Sequence, residues 1–475
     1  MKKIFKSLLV LVLCVLTCLT FAGCGNTKWS EVTNDVSGVT SNGGITLYHD
    51  GWVYFVNGIK ENSESNLKGK IVQSGIYRAK ADQDGNILYK ETPSTQAEDD
   101  DKEEKEEVKE FEKIEPVVKS LVGFKDGSIY IFGDYLYYAT PCTSKNKKGE
   151  MLNKKTEFHR YDLVNGGDQV IYTTQASDDT ISYTYYKSST SLYFVVYEKN
   201  SATLTSFEIG KNIKKMFKEE EVKSAVFSEK NAQEIDSKLD LADHYVYFTL
   251  EADKESEHTE GVRVYQVKPD GTKKRLISEG ETITLLSVKG GKLVYSDEDN
   301  YVYAESIVED MTLAPNFETN VIMANKYDNF VILEETDGLA VVVYDKTTIR
   351  KLKYVDGTLA EDVQVKTFDS SDKVTFIGVD GEYVIYQLSN LVYKIKYNEE
   401  SAAETKLSTT KIEAADGLMA SEIMNGYVYG FYKDTKASVT YLYRINLLTP
   451  EERGETDKEG APKEVGEAEF LGIKQ

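Results

Sequence analysis

Asp50-Gly51-Trp52-Val53-Tyr54-Phe55-Val56, followed by Gly75-Ile76-Tyr77-Arg78-Ala79-Lys80 and a turn at Asp84-Gly85-Asn86, sets the pattern of the whole chain. An Asp-Gly pair, the commonest opening of a tight hairpin, leads into a run where aromatic and β-branched residues alternate. The second segment has the same character and ends at another turn. Period-2 alternation marks strands rather than helices, and two such strands cannot bury their faces alone.

The unit returns along the chain as Gly133-Asp134-Tyr135-Leu136-Tyr137-Tyr138, Ser191-Leu192-Tyr193-Phe194-Val195, Asp243-His244-Tyr245-Val246-Tyr247-Phe248 and Gly291-Lys292-Leu293-Val294-Tyr295. Asn329-Phe330-Val331-Ile332-Leu333, Gly381-Glu382-Tyr383-Val384-Ile385-Tyr386 and Asn425-Gly426-Tyr427-Val428-Tyr429 complete eight copies. Partner strands are read at 262–267, 301–303, 339–344, 391–395 and 441–445. Most spacings are about 40 to 55 residues, the length of one four-stranded propeller blade. Many short strands at even spacing would leave aggregation-prone edges unless the sheet array closes on itself. The expectation is therefore an all-β fold, a single β-propeller over 45–475 with eight blades of four antiparallel strands, seven being the alternative count. One helix is expected within Gly210–Lys223, from Ile213, Met216 and Phe217. The late apolar segment Glu469-Phe470-Leu471-Gly472-Ile473 follows a polar linker and is expected to pair with the first or last blade and seal the ring.

The unit at 50–86 resembles the repeats of exported bacterial β-propeller domains of unknown function (DUF5050-like), which are similar to six-bladed receptor-type propellers. The resemblance spans most of 45–453 and implies architecture; it brings no catalytic residue with it.

Two insertions interrupt the rhythm. Gln96 to Glu107 is a charge run that cannot pack, so about 95–113 is expected to form a disordered acidic surface loop. Thr143 to Glu157 is lysine-rich and is placed between strands of the second blade.

Ahead of the repeats, Lys2, Lys3 and Lys6 precede an apolar run from Leu8 to Ala22 that is too short to span a bilayer and ends in Phe21-Ala22-Gly23-Cys24. This reads as a signal peptide over 1–23 with a lipobox-like site, although Phe21 departs from the usual aliphatic residue. Cys24 is the lipidation site. Residues 24–44, rich in Gly, Ser, Thr and Asn, form the lipidated tether. Two or more acyl chains anchor stably where one does not. The expected location is extracytoplasmic, on the membrane of the cell envelope.

Removing residues 1–23 takes three lysines from a net charge of −22 and leaves −25. So acidic a chain argues against a nucleic-acid partner. Of the four cysteines, Cys14 and Cys18 leave with the signal and Cys24 carries lipid; Cys142 is left alone and reads as an inert thiol. His49, His159, His244 and His258 lack metal-site spacing, with His49 and His244 in turns before aromatic strands. Asp82 to Gly85 is read as a turn rather than a calcium loop. The 33 tyrosines are assigned to blade packing. No nucleophile elbow, phosphate loop, zinc-protease or dinucleotide motif occurs, so no catalytic residue, metal or cofactor is assigned.

The function expected on these grounds is that of a monomeric binding or scaffold module for an envelope protein, a peptide or a glycan. A hydrolytic propeller, such as a carbohydrate-active enzyme using carboxylates in a central funnel, is the alternative. A solute-binding lipoprotein would need two α/β lobes, and that rhythm is missing.

Overall fold

The computed structural model describes the chain from Ile45 to Phe470, apart from connecting segments of which the longest are 61–70, 91–111, 142–154, 228–244, 253–260, 307–320 and 410–417. Cys24, Cys142, His244, His258, the acidic run and most of the lysine-rich insertion lie outside the described residues.

Strands β1 (Thr46–His49) and β2 (Trp52–Val56) are joined by Asp50 and Gly51, whose φ values of 49° and 75° form the left-handed pair of a two-residue hairpin. Two short strands follow, β3 (Ile59–Lys60) and β4 (Ile71–Val72), then β5 (Ile76–Lys80), β6 (Ile114–Val118) and short β7 (Val122–Gly123). The first blade has the order β1-β2-β5-β6, while β4 pairs with β7 in a separate ribbon.

Blade two comprises β8 (Tyr130–Phe132), β9 (Tyr135–Pro141), β10 (Thr156–Asp162) and β11 (Asp168–Thr173); blade three comprises β12 (Ile181–Lys187), β13 (Leu192–Glu198), β14 (Thr203–Ile209) and β15 (Lys215–Glu219). Blade four is β16 (Ser224–Phe227), β17 (Val246–Glu251), β18 (Val262–Val267) and β19 (Arg275–Gly280); blade five is β20 (Thr284–Lys289), β21 (Lys292–Ser296), β22 (Val302–Ser306) and β23 (Val321–Met323). Blade six contains β24 (Asn329–Glu335), β25 (Gly338–Tyr344), β26 (Thr348–Val355) and β27 (Thr358–Thr367), and blade seven β28 (Val374–Asp380), β29 (Tyr383–Leu388), β30 (Leu391–Lys396) and β31 (Thr405–Lys406). The last sheet holds β32 (Leu418–Met424), β33 (Tyr427–Asp434), β34 (Val439–Asn446) and, against β34, both β3 and β35 (Glu469–Phe470).

The fold is thus an all-β propeller whose four-stranded antiparallel blade occurs seven times. The expectation of eight four-stranded blades is corrected: the last sheet is composite, with three continuous strands and an outer position divided between two short ones. The division has a physical reason. A strand shared between the first and last blades ties the ring shut, and here a piece of the first blade's connection pairs as Ile59↔Thr440 while the C-terminal segment takes the rest of the edge as Arg444↔Glu469. Of the late apolar segment, Glu469 and Phe470 pair with the last sheet, while Leu471 to Ile473 lie outside the described residues.

Two further readings are corrected. The segment expected as a helix contains β15, which completes blade three by pairing with β14; Phe217 packs its ring, tilted, 6.2 Å from Phe248 of the next blade. Burial of an aromatic between two sheets outweighs the local spacing that suggested a helix. In blade six, Asn329–Leu333 belongs to the first strand rather than the second, because two successive runs, β24 and β25, carry the same alternating pattern.

The core consists of apolar clusters between successive sheets, one at each junction around the ring among the described residues. Leu47, Ile76 and Leu136 fill the first junction, and Tyr137, Phe158 and Phe194 the second. Val246 and Leu204, Tyr247 and Leu293, Ile322 and Val341, Val342 and Tyr386, and Ile385 and Tyr443 fill those that follow. Phe55 and Ala79 against Tyr429 then join blade one to the last sheet. The Tyr427 hydroxyl also donates to Asn86 Oδ1 at 3.2 Å across that closure. Asn86 belongs to the turn at Asp82, whose carboxylate accepts from the Asn86 backbone N–H at 2.8 Å, the turn role expected for it.

Tyrosine suits these junctions because sheets stack about 10 Å apart, a gap a ring fills, and its hydroxyl can reach a polar partner at the edge. Tyr138 donates to Asp168 at 2.8 Å, Tyr197 to the Lys223 carbonyl at 2.9 Å and Tyr386 to Glu404 at 2.5 Å.

Candidate functional site

A buried polar cluster lies on blade two. On one face of that sheet, Tyr138 and Thr140 of β9, Glu157 and His159 of β10 and Asp168 of β11 come together, since residues two apart on a strand share a face. His159 Nδ1 lies 2.8 Å from Asp168 Oδ2. A carboxylate only accepts, so Nδ1 carries the proton. Nε2 faces Thr140 Oγ1 at 3.4 Å and Glu157 Oε2 at 3.7 Å, and the Tyr138 ring stacks on the imidazole at 5.1 Å. Burial alone would raise the Asp168 carboxyl; hydrogen bonds from His159 and Tyr138 outweigh it and hold the group below its ordinary 3.8.

Hydroxyl, imidazole and carboxylate in line is the order of a hydrolase triad. Here the hydroxyl is that of Thr140, only 4% exposed and on the same strand face as Tyr138, which packs in the junction between blades one and two. The arrangement as it stands ties three strands together. Among the described residues no group of three or more His, Cys, Asp or Glu is placed to hold a metal ion.

Replacing Asp168 by Asn tests this role. A depressed folded-state pKa contributes stability above the ordinary value and loses it as pH falls through the folded one. The wild type is expected to melt about 1–2 °C above Asp168→Asn at neutral pH, the gap closing below pH 4, in a thermal melt series. A gap independent of pH would contradict the ion-paired role.

A second pattern repeats around the closure. Arg78 lies over Trp52 at 4.3 Å, Arg160 over Tyr135 at 4.3 Å, Lys394 over Tyr383 at 4.7 Å and Arg444 over Tyr427 at 4.4 Å. In each case a third-strand cation stacks diagonally on the aromatic that opens the second strand, a contact of about 0.5–2 kcal/mol. The same cations reach an acceptor beyond: Arg78 to Glu115 at 2.8 Å, Arg160 to Gln169 at 3.2 Å and Arg444 to Glu469 at 2.7 Å, all on fourth-strand positions. Lys394, buried, instead donates to Glu452 at 2.6 Å and to the Leu447 carbonyl at 3.0 Å, pinning the chain that leaves β34 against blade seven.

The first strands of neighbouring blades touch one another, β16 with β20 and β28 with β32, and so form the inner wall of the ring. Of these first strands β1, β8, β12, β16 and β20 carry no carboxylate, whereas β24 carries Glu334 and Glu335, β28 Asp380 and β32 Glu422. Of the residues singled out in the sequence, His49 ends β1 opposite Trp52 and His159 joins the blade-two cluster. Tyr138, Thr140, Glu157 and Asp168 were not singled out: the alternation of Glu157 and His159 signals a shared face, but the partners become visible only with the strand register.

No family model matches the chain, and no curated relative does. Among solved structures, similarity is found to BamB from Moraxella catarrhalis, at 10% identity over 68% of this chain and 95% of that one with a TM-score of 0.32. Hsv2 of Kluyveromyces lactis matches at 13% identity over 66% and 96%, TM-score 0.31, and Sqt1 of Saccharomyces cerevisiae at 10% over 66% and 80%, TM-score 0.39. The assignment of the fold rests on the strand pairing described above.

Proposed function

We propose that the chain is a lipid-anchored, extracytoplasmic β-propeller that serves as a binding or scaffold module for a protein of the cell envelope. What supports this reading is the closed ring: its junctions are filled by apolar and aromatic side chains, and the buried cations Arg160, Lys394 and Arg444 are engaged in contacts that tie strands and their connections together. The turns and outer edges are what remain to meet a partner, as in rigid scaffolds that display loops. The anchor rests on the lysine-led apolar segment and Cys24, and the acidic net charge disfavours nucleic acid as the partner.

Cys24→Ala tests the anchor. Because the thiol is the single attachment point, the variant is expected to remain uncleaved or to move to the aqueous phase of a detergent partition, with more than about tenfold loss of stably bound mature protein. Equal retention of variant and wild type would contradict it. Cross-linking in intact cells, with the wild type as bait, tests the scaffold role through the capture of a defined envelope protein.

A further inference from the structure

The outer edge of the last sheet is divided between two strands, unlike that of blade seven, where the equally short β31 stands alone. β34 runs from Val439 to Asn446, yet its outer neighbours are two-residue strands from distant parts of the chain: β3 covers Thr440 and Val439, and β35 covers Tyr443 and Arg444. β35 reproduces a fourth strand position by position. Glu469 receives Arg444 as Glu115 receives Arg78 and Gln169 receives Arg160, and Glu279 of β19 receives Arg263 in the same register. Ala468 is 6% exposed and packs into the cluster of Tyr443, Ile445 and Leu447. Arg444 is 4% exposed, and its Nη1 is buried with no hydrogen-bond partner among the described residues, leaving one donor open beside the carboxylate already bound. The connection before β35 is held at Gly466, whose carbonyl accepts from the Thr409 N–H at 2.7 Å, so that displacement is confined to the segment beyond it, with Ala468 the one residue that must leave the junction with blade seven.

We propose that this edge is a strand-addition site, filled within the chain by residues 468–470 and able to take instead an extended segment of a partner protein with the order small apolar, acidic, aromatic. Main-chain pairing with β34 supplies affinity; the Arg444 guanidinium and the small cluster pocket select the sequence. The C-terminal segment is then a resident ligand that the partner displaces. The proposal rests on the scaffold reading and narrows it to one surface.

The probe is a fluorescent peptide of residues 465–475, followed by anisotropy. The intact chain is expected to bind it at least tenfold more weakly than a full-length chain carrying Glu469→Lys and Phe470→Asp, which frees the edge while keeping the tail in place. Arg444→Gln added to that variant should cut binding tenfold or more, as should Glu469→Lys in the peptide. A folded Glu469→Lys, Phe470→Asp chain that ignores the peptide, or that dimerises instead, overturns the proposal. Hydrogen exchange on the unaltered chain gives a readout that does not depend on the variant folding. Glu469 and Phe470 amides should exchange at least tenfold faster than those of β33; exchange at the β33 rate would mean that the segment never leaves, and the proposal would fail. Loss of the peptide result would remove this surface alone, whereas the scaffold reading falls only if the anchored wild type captures no envelope protein.

Discussion

A chain ending at Glu464 is expected to lose about 3–5 kcal/mol of stability relative to the full chain, from the combined loss of an ion pair, a packed junction residue and the strand that covers part of β34. The deletion removes Glu469 and leaves the Arg444 guanidinium, 4% exposed, without its carboxylate. Because β35 leaves with Glu469, the Arg444 side chain returns to water, and what is lost is the charge-assisted hydrogen bond and the packing around it. The same cut takes Ala468 from the last junction and removes the carbonyls of Val465 and Gly466 that Thr409 bonds. It also bares part of the outer edge of β34, so the shortened chain should self-associate as its concentration rises. Denaturant titration and light scattering together check this. A monomer with unchanged melting would show that β35 is a passive tail.

The second large effect is expected at Gly75, which precedes β5. A Cβ there would lie 2.2 Å from the Val118 carbonyl oxygen and 3.3 Å from the carbon bearing it. Both are backbone atoms of the outer strand of blade one, so no rotamer change can relieve the overlap. Relief requires β5 and β6 to separate at the point where Ile76, fully buried, pairs with Val118. Gly75→Ala should therefore cost about 3 kcal/mol, at the upper end of overpacking substitutions. Gly466→Ala is the control: nothing lies within 4 Å of its added carbon, and a change within about 0.5 kcal/mol is expected. Equal effects at the two positions would contradict the close approach.

Second strands such as β2, β9 and β33 were legible because an Asp-Gly or related turn and an aromatic alternation coincide in a few residues, both local signals. Blade six was misread by one strand because β24 and β25 carry the same signal in succession, and only pairing order separates them. β15 was misread because Ile213, Met216 and Phe217 mimic a helical stripe over a stretch whose conformation is decided by β14 beside it. β35 could be anticipated, since an apolar run after a polar linker needs somewhere to go. β3 could not: Ile59 and Lys60 sit in a polar connection and gain their role only from β34, far along the chain. The blade-two cluster was hidden for the same reason, with Tyr138, His159 and Asp168 brought together by register across an insertion.

The central claim is that the two ends of the chain build one closed ring, and native-state hydrogen exchange tests it most directly. Amides of β2 in the first blade and of β33 in the last sheet, joined through Phe55, Tyr429 and the Tyr427–Asn86 bond, are predicted to open with the same free energy, and to lose protection together in the chain ending at Glu464. Exchange of the last sheet at a lower free energy than β2, with β2 unaffected by the truncation, would contradict it.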